Sequence, residues 1–261
     1  LYIVALSIPF IAIYNAGAAI FRTTNNATLP MKVLVICDVL NVVGNAICIY
    51  YLGWDVRGVA IPTLISRVLS ALLILHFVVN ENYKLHIKRT FKHKFDFNIL
   101  KKVLQVGIPY GVENGLFQLG RVLVLSLVST FGTMAIAANS VGYAIGIFSV
   151  LPGFAINLGL TAVISNCVGA NDYEQARYYN KKCLVMVLIS HVVINLIIFA
   201  LLPAVLGIYN LSAQTAQMTT EMVIWHCIFA IVIWPLSFTL PSTFRGAGDS
   251  KSVMYISLAV M

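Results

Sequence analysis

Four ionisable side chains lie inside otherwise apolar stretches of this 261-residue chain, namely Asp38, Arg67, Glu113 and Arg121. A charge at the centre of a membrane helix costs about 2.5–3.5 kcal/mol on insertion scales, so such residues are rare and often mark an ion or substrate site. Glu113 draws most attention, because a carboxylate can bind a proton, a metal ion or an organic cation. The first chemistry to consider is therefore cation binding in an apolar environment.

Glu113 lies within the apolar stretch 103–130, about ten residues or about 15 Å of helix from its first residue. This is half the ~30 Å thickness of the hydrocarbon core, so we expect Glu113 at the midplane. Asn114 and Gln118 are polar neighbours that could contact a bound substrate. We predict that a proton or sodium ion competes with a cationic substrate for Glu113. The alternative is a purely structural ion pair between Glu113 and a basic side chain.

A second polar group precedes Glu113 in the chain. Asp38 and Arg67 lie on consecutive apolar stretches at similar estimated depth, so they could form an intramembrane charge pair, either structural or involved in gating. Asn41 and Asn45 extend a polar stripe from Asp38 along one helix face. Such amides more often form hydrogen bonds between helices than contacts to a ligand.

The elements that must position these side chains are membrane-spanning helices. The chain is 60% hydrophobic and only 10% charged, with a mean hydropathy of +0.90, which is far from the composition of soluble domains. Long apolar stretches without strand-like alternation predict an all-α integral membrane protein. We expect seven spans and the start of an eighth: 1–22, 31–52, 58–79, 103–130, 134–168, 183–208, 217–243 and 252 onward.

The basic residues predict the orientation of these spans. Most of the 17 Lys and Arg residues fall in alternate loops, as the excess of positive charge in cytoplasmic loops requires. The segment 80–102 is the longest polar stretch, and we interpret it as a basic cytoplasmic linker between a first lobe, 1–79, and a second lobe, 103–261. Because the basic residues are spread over short loops at one membrane face, the net charge of +8 does not indicate nucleic-acid binding.

A polar turn occurs twice, as FRTTNNATLPM from Phe21 and as FRGAGDSKSVM from Phe244. In each copy a helix ends in Phe-Arg, and the turn residues tolerate left-handed backbone, with Thr28, Ser250 or Ser252 available to cap the next helix. The copies are separated by six spans, an even number, which favours two six-helix bundles related by a parallel pseudo-two-fold axis. The motif residues are Phe21, Arg22, Phe244, Arg245, Gly246, Gly248 and Asp249.

Motifs typical of enzymes and metal sites are missing from the sequence. It contains no HExxH, GxSxG or GxxxxGK[ST] motif, and its five cysteines lack metal-ligand spacing. We therefore expect no catalytic residues, no metal centre and no cofactor other than a coupling proton or sodium ion. Any active transport by this chain would draw its energy from an ion gradient.

Several segments together resemble the multidrug and toxic compound extrusion (MATE) transporters. They are IPFIAIYNAGAAIFRTTNNATLPM, DVLNVVGNAICIYYLGWDVRGVAIPTLISR, GIPYGVENGLFQLG, AIAANSVGY, ISNCVGANDYEQAR and STFRGAGDSKSVM. The resemblance covers essentially the whole chain and implies a twelve-helix antiporter of two six-helix lobes. This chain would then be a fragment that runs from about the fourth helix to the start of the eleventh.

The resemblance implies a function as well as a fold. We expect a secondary active transporter of the plasma (inner) membrane that exports small organic compounds, chiefly cations, by proton or sodium antiport with alternating access. Its partners would be small organic cations and the lipid bilayer, and we expect a monomer. Two alternatives stay open: a flippase for lipid-linked oligosaccharides or polysaccharides from the same superfamily, and a membrane protein with a structural or sensor role.

Overall fold

A computed structural model describes residues 2–24, 26–54, 56–81, 83, 87 and 96–260. Within these residues the chain is almost entirely helical and contains no β-strand. It forms two compact units, Leu1–Phe95 and Asp96–Met261. The boundary falls inside the predicted linker, most of which lies outside the described residues.

The described part of the first unit contains four α-helices and one π-helical turn. They are α1 (Tyr2–Ala5), α2 (Ile8–Thr23), α3 (Thr28–Ala46), the π-helical turn Ile47–Tyr51 that continues α3, and α4 (Arg57–Val78). The core lies among α2, α3 and α4 and includes Tyr14, Phe21 and Ile74. Gly17 permits close packing there, because a Cβ atom on it would lie 2.8 Å from Ile74 Cγ1.

The second unit contains six α-helices and a second π-helical turn. They are α5 (Phe97–Ser129), α6 (Thr133–Gly169), α7 (Tyr173–Ile208), α8 (Ala213–Trp234), the π-helical turn Pro235–Thr239, α9 (Leu240–Gly246) and α10 (Ser250–Val260). The core lies among α6, α7 and α8, whereas α5 has only one buried residue, Pro109. The helix α5 therefore lies at the edge of the second unit and packs less closely than the core helices.

The predicted spans are confirmed, since the described residues include seven helices long and apolar enough to cross a membrane. Their ends differ from the predicted ones. The helix α5 begins at Phe97 instead of residue 103, and α7 begins at Tyr173 instead of residue 183. Hydropathy detects only the apolar part of a helix, so polar turns at the helix ends escape it. Asp96 and Asp172 cap these two N-termini through their carboxylates.

Pro152 and Gly153 lie inside α6, which continues through both residues as one helix. Packing accounts for the glycine. A Cβ atom on Gly153 would lie 2.2 Å from Trp234 Cζ3 and 2.6 Å from His191 Cε1, which is too close for any side chain. Gly153 therefore allows a histidine and a tryptophan to pack directly against the backbone of α6.

Each of the two Phe-Arg turns is closed by the same type of backbone hydrogen bond. Asn26 N–H donates to Phe21 O and Asp249 N–H donates to Phe244 O, both at 2.9 Å, as in helix ends closed by a left-handed residue. Gly248 supplies that residue in the second turn, with a φ of +90°. The predicted caps were wrong in both turns: α3 has no side-chain cap, and Asp249 caps α10 by accepting from Ser252 N–H at 3.1 Å. The pseudo-two-fold relation stays a prediction.

Candidate ion and substrate site

The carboxylate of Glu113 is bound by two residues from other helices of the second unit. Arg245 Nη2, in the last turn of α9, donates to Glu113 Oε1 at 2.7 Å, and Ser257 Oγ on α10 donates to the same oxygen at 3.1 Å. The Arg245 guanidinium also lies 4.6 Å from the ring centroid of Tyr110, one helical turn before Glu113. These contacts join the edge helix α5 to α9 and α10.

The ion pair is largely removed from solvent. The Glu113 side chain is 13% exposed and that of Arg245 is 21% exposed. Glu113 Oε2 and Arg245 Nε are buried, and the described residues offer neither atom a hydrogen-bond partner. A buried pair of this kind is strongly destabilised when one partner is removed, because the remaining charge is left uncompensated. One carboxylate oxygen is therefore held, and the other is available to a further donor or cation.

The predicted depth of Glu113, at the midplane, stays a prediction. The 33 residues of α5 exceed a ~30 Å membrane core, and Glu113 is the middle residue of this helix, equally far from Phe97 and Ser129. Its partner Arg245 lies in the last turn of α9.

Asn114 and Gln118 do not point at the Glu113 carboxylate. Asn114 Nδ2 donates to Tyr110 O at 2.9 Å, within its own helix. Gln118 Oε1 accepts from Arg121 Nη1 at 3.1 Å, and the Arg121 guanidinium lies 4.5 Å from the centroid of Tyr143. Neither amide is therefore part of the Glu113 cluster. Their contacts to a substrate stay a prediction.

The structure does not bring Asp38 and Arg67 together, although both residues are described. Arg67 Nη1 instead donates to Ser7 Oγ at 2.6 Å, while Asp38 is exposed on α3. The predicted charge pair thus needs correction: similar depth on adjacent helices does not fix the direction in which each side chain points around its helix axis.

The amides of Asn41 and Asn45 form a hydrogen-bonded chain between helices. Asn41 Nδ2 donates to Thr63 Oγ1 at 3.1 Å and to Ser66 Oγ at 3.3 Å, so it joins α3 to α4. Asn45 Nδ2 donates to Asn41 Oδ1 at 3.2 Å. The polar stripe therefore acts in packing of the first unit, as interhelical amides often do.

An aromatic cluster lies in the same unit as Glu113. Trp234 and Phe238 stack with centroids 5.0 Å apart, and Phe154 and Phe117 meet this pair edge-on at 5.1 Å and 6.2 Å. Phe117 and Phe154 are exposed, so part of the aromatic surface of the cluster is accessible to a bound molecule. The described residues contain no group of three or more His, Cys, Asp or Glu side chains suited to a metal ion.

Comparison with known proteins places these observations in a family. The MatE family model matches residues 109–261, which is more than half of the chain. The chain belongs to the MatE family. Its resemblance to MATE transporters, expected from the sequence motifs, is thereby confirmed.

Curated relatives of this MatE chain include transport proteins from several bacteria. The probable multidrug resistance protein YoeA of Bacillus subtilis is 21% identical over 87% of this chain and 49% of the relative. The probable multidrug resistance protein NorM of Neisseria meningitidis serogroup B is 26% identical over 98% of this chain and 56% of the relative. The chain spans about half the length of the curated relatives it matches.

Solved MATE structures share the fold of this MatE chain. A crystal structure of MATE in complex with MaD3S matches with a TM-score of 0.86 at 20% identity, and the match covers 98% of this chain and 57% of that one. At this identity the match shows the fold alone. The chain is therefore a multi-pass membrane protein with the helical architecture of MATE transporters.

Three residues of the site in this MatE chain were not predicted to take part in it. Arg245 was interpreted as a basic residue of a repeated turn, and Ser257 and Phe238 were not singled out. The pairing of Glu113 with Arg245 spans 132 residues of sequence, so no local spacing reveals it. The one available signal was charge: a buried carboxylate requires a cation, and Arg245 lies in a repeated motif at a helix end.

Proposed function

We propose that this chain is part of a secondary active efflux transporter that exports organic compounds, chiefly cations, in exchange for protons or sodium by alternating access. The observation that carries the proposal is the Glu113 carboxylate, buried, paired through one oxygen and unpartnered through the other. Membership of the MatE family and the multidrug resistance names of the relatives support it. We place the transporter in the plasma (inner) membrane as a monomer.

Arg245 and the coupling ion, a proton or sodium, compete for Glu113 in this scheme. Arg245 holds the carboxylate in the described state, and a proton or sodium ion arriving at Oε2 weakens that pair because the negative charge is then shared or neutralised. The released guanidinium must find water or another acceptor, which favours movement of the turn after α9 away from α5. Ion binding thus becomes linked to a change in helix packing.

The aromatic cluster provides the substrate surface in this proposal. The exposed faces of Phe117 and Phe154 beside the stacked pair Trp234 and Phe238 suit planar, delocalised cations, which aromatic rings attract through their quadrupoles. Such a surface is tolerant of shape, which fits export of varied compounds. Flipping of a lipid-linked diphosphate is less well supported, since Arg245 is already neutralised by Glu113 and Arg121 lies on an aromatic ring.

Transport of a fluorescent organic cation by the complete protein in inside-out vesicles tests the proposal. Proton and sodium gradients are imposed separately, and we expect uptake with one of them. Glu113→Gln should abolish this uptake in vesicles that contain equal amounts of protein, because the amide cannot exchange an ion. Glu221→Gln is the matched control, since Glu221 is exposed and, among the described residues, accepts a hydrogen bond only from Gln217 in its own helix.

A double substitution separates coupling from a purely structural role of Glu113. Glu113→Gln combined with Arg245→Gln removes both charges and leaves two amides that can bond to each other. If the pair were only structural, this variant would recover transport. We expect it to recover stability and not transport; recovered gradient-driven uptake would remove Glu113 from the coupling mechanism.

A further inference from the structure

We propose that a polar stripe along α6 is a hydrated seam inside the second unit, and that water bound there donates a hydrogen bond to His191. The stripe consists of residues spaced four apart, which follow one slanted row along the helix: Ser149, Gly153, Asn157, Thr161 and Ser165. The inference does not rest on the role proposed for Glu113, which takes no part in the stripe.

The two ends of the stripe are satisfied by protein groups. Ser149 Oγ donates to Asn195 Oδ1 on α7 at 2.6 Å. Towards the other end, Ser165 Oγ donates to Gly246 O at 2.9 Å, and Thr161 Oγ1 lies 3.5 Å from Ser242 O. The middle of the stripe, around Gly153 and Asn157, is the part that needs a ligand.

Three fully or almost fully buried side chains around this middle part carry an atom without a hydrogen-bond partner among the described residues. They are His191 Nε2, Asn157 Oδ1 and Thr239 Oγ1, on side chains of residues that are 0%, 6% and 0% exposed. In the second unit these atoms belong to α7, α6 and the π-helical turn respectively. Buried polar atoms in native proteins are nearly always satisfied, by ordered water where protein groups are lacking.

Packing directs these atoms towards the stripe. A Cβ atom on Gly153 would lie 2.6 Å from His191 Cε1, the ring carbon between Nδ1 and Nε2, so this corner of the imidazole faces α6. The contacts Thr161–Ser242 and Ser165–Gly246 share a sequence separation of 81 residues. The same separation, carried one turn back, leads from Asn157 to Phe238, the neighbour of Thr239 in the π-helical turn.

The chemistry of the unpartnered atoms favours water as the ligand. His191 Nδ1 lies 2.8 Å from Val187 O and must donate to it, which leaves Nε2 of the neutral ring as an acceptor. Asn157 Oδ1 is also an acceptor, and the Thr239 hydroxyl can donate or accept. Water, with two donors and two acceptors, matches such a set, and π-helical turns often occur at functional sites.

A seam of water would give His191 a route for proton exchange towards the turn after α9. The stripe continues from Gly153 through Thr161 to Ser165, which contacts Gly246, the last residue of α9. A histidine buried in a dry apolar core has no such route. A measurement of proton exchange at the His191 ring therefore distinguishes a hydrated seam from a dry one.

Deuterium exchange of the histidine Cε1–H in the complete purified protein, followed by mass spectrometry over days, measures this access. We expect exchange at His191, with at least a several-fold slower rate in Asn157→Leu, while exposed His76 is unchanged. Absence of exchange at His191 while His76 exchanges would overturn the proposal. An exchange rate that Asn157→Leu leaves unaltered would overturn it as well.

The direction of the change in Tm on Thr239→Val is an independent test of hydration. If the Thr239 hydroxyl is bound to water, Thr239→Val should lower the Tm of the complete protein. We expect the same of the reference variant Thr219→Val, which removes a buried hydroxyl that donates to Thr215 O at 2.8 Å. In a dry seam Thr239→Val would remove an unsatisfied polar atom and raise the Tm. A raised Tm would contradict hydration whatever the exchange result, and neither readout depends on transport.

Discussion

The two Phe-Arg turns have the same closing hydrogen bond and opposite side-chain environments. In the first unit Phe21 is 1% exposed and packs edge-on against Tyr83 at 5.1 Å, whereas no acid pairs with Arg22 among the described residues. In the second unit Phe244 is 51% exposed, and Arg245 forms the buried pair with Glu113. One turn is held through its aromatic residue and the other through its charge.

This difference teaches that a repeated motif can keep its backbone and exchange the residue that stabilises it. An aromatic anchor is insensitive to ions, because it is stabilised by burial of apolar surface. An ion pair responds to any proton or cation that reaches its acid. The second turn is thus the one suited to ion-linked movement, and substitutions at matching positions should have opposite patterns in the two turns.

Removal of the aromatic side chain should show the largest difference. Phe21→Ala should lower the free energy of unfolding by about 3–5 kcal/mol, because it leaves a cavity in the core of the first unit. Phe244→Ala should cost less than about 1 kcal/mol, since half of that side chain is exposed. Chemical denaturation of the complete protein in detergent measures both; equal losses would contradict the comparison.

Removal of the arginine should reverse the pattern. Arg245→Ala leaves the Glu113 carboxylate buried without its cation, and we expect a loss of about 2–3 kcal/mol after allowance for the 21% exposure of Arg245. Arg22→Ala should change stability by no more than about 0.5 kcal/mol. Adding Glu113→Gln to Arg245→Ala should restore much of the loss. A double variant as unstable as the single one would show that the pair is not the cause.

The fold was largely predictable and the site was not, for a physical reason that these residues illustrate. Seven spans follow from local composition, since a helix in lipid must satisfy its backbone internally and present apolar side chains along about twenty residues. Glu113 was found by the same local argument. Its partner Arg245 was not, because the direction in which a side chain leaves its helix depends on packing with distant helices. Asp38 and Arg67 show the same limit, because they were predicted to pair from their depth and do not pair with each other.

The left-handed residue of the second turn offers a smaller, purely backbone test. Gly248 has a φ of +90°, and a Cβ atom there would meet nothing within 4 Å, so only conformational strain opposes substitution. Gly248→Ala should cost about 1–2 kcal/mol. Gly248→Asn, which introduces the residue type found at the matching position of the first turn, should cost less, because asparagine tolerates this region. Thermal unfolding of the two variants side by side would contradict the assignment if alanine proved the milder change.

The smallest expected effect is a dependence on pH that only the second turn can have. Hydrogen bonds from the side chain and then the backbone N–H of Ser252 lower the pKa of Asp249 below its ordinary value, whereas the matching residue of the first turn, Asn26, does not titrate. A carboxyl whose pKa is lower when folded stabilises the protein above its ordinary pKa and loses that contribution as the pH falls through the folded pKa. Asp249→Asn should therefore slightly lower the Tm at neutral pH and flatten the Tm profile at acid pH. An Asp249→Asn profile parallel to that of the unsubstituted protein across the acid range would show that the cap is not titrating.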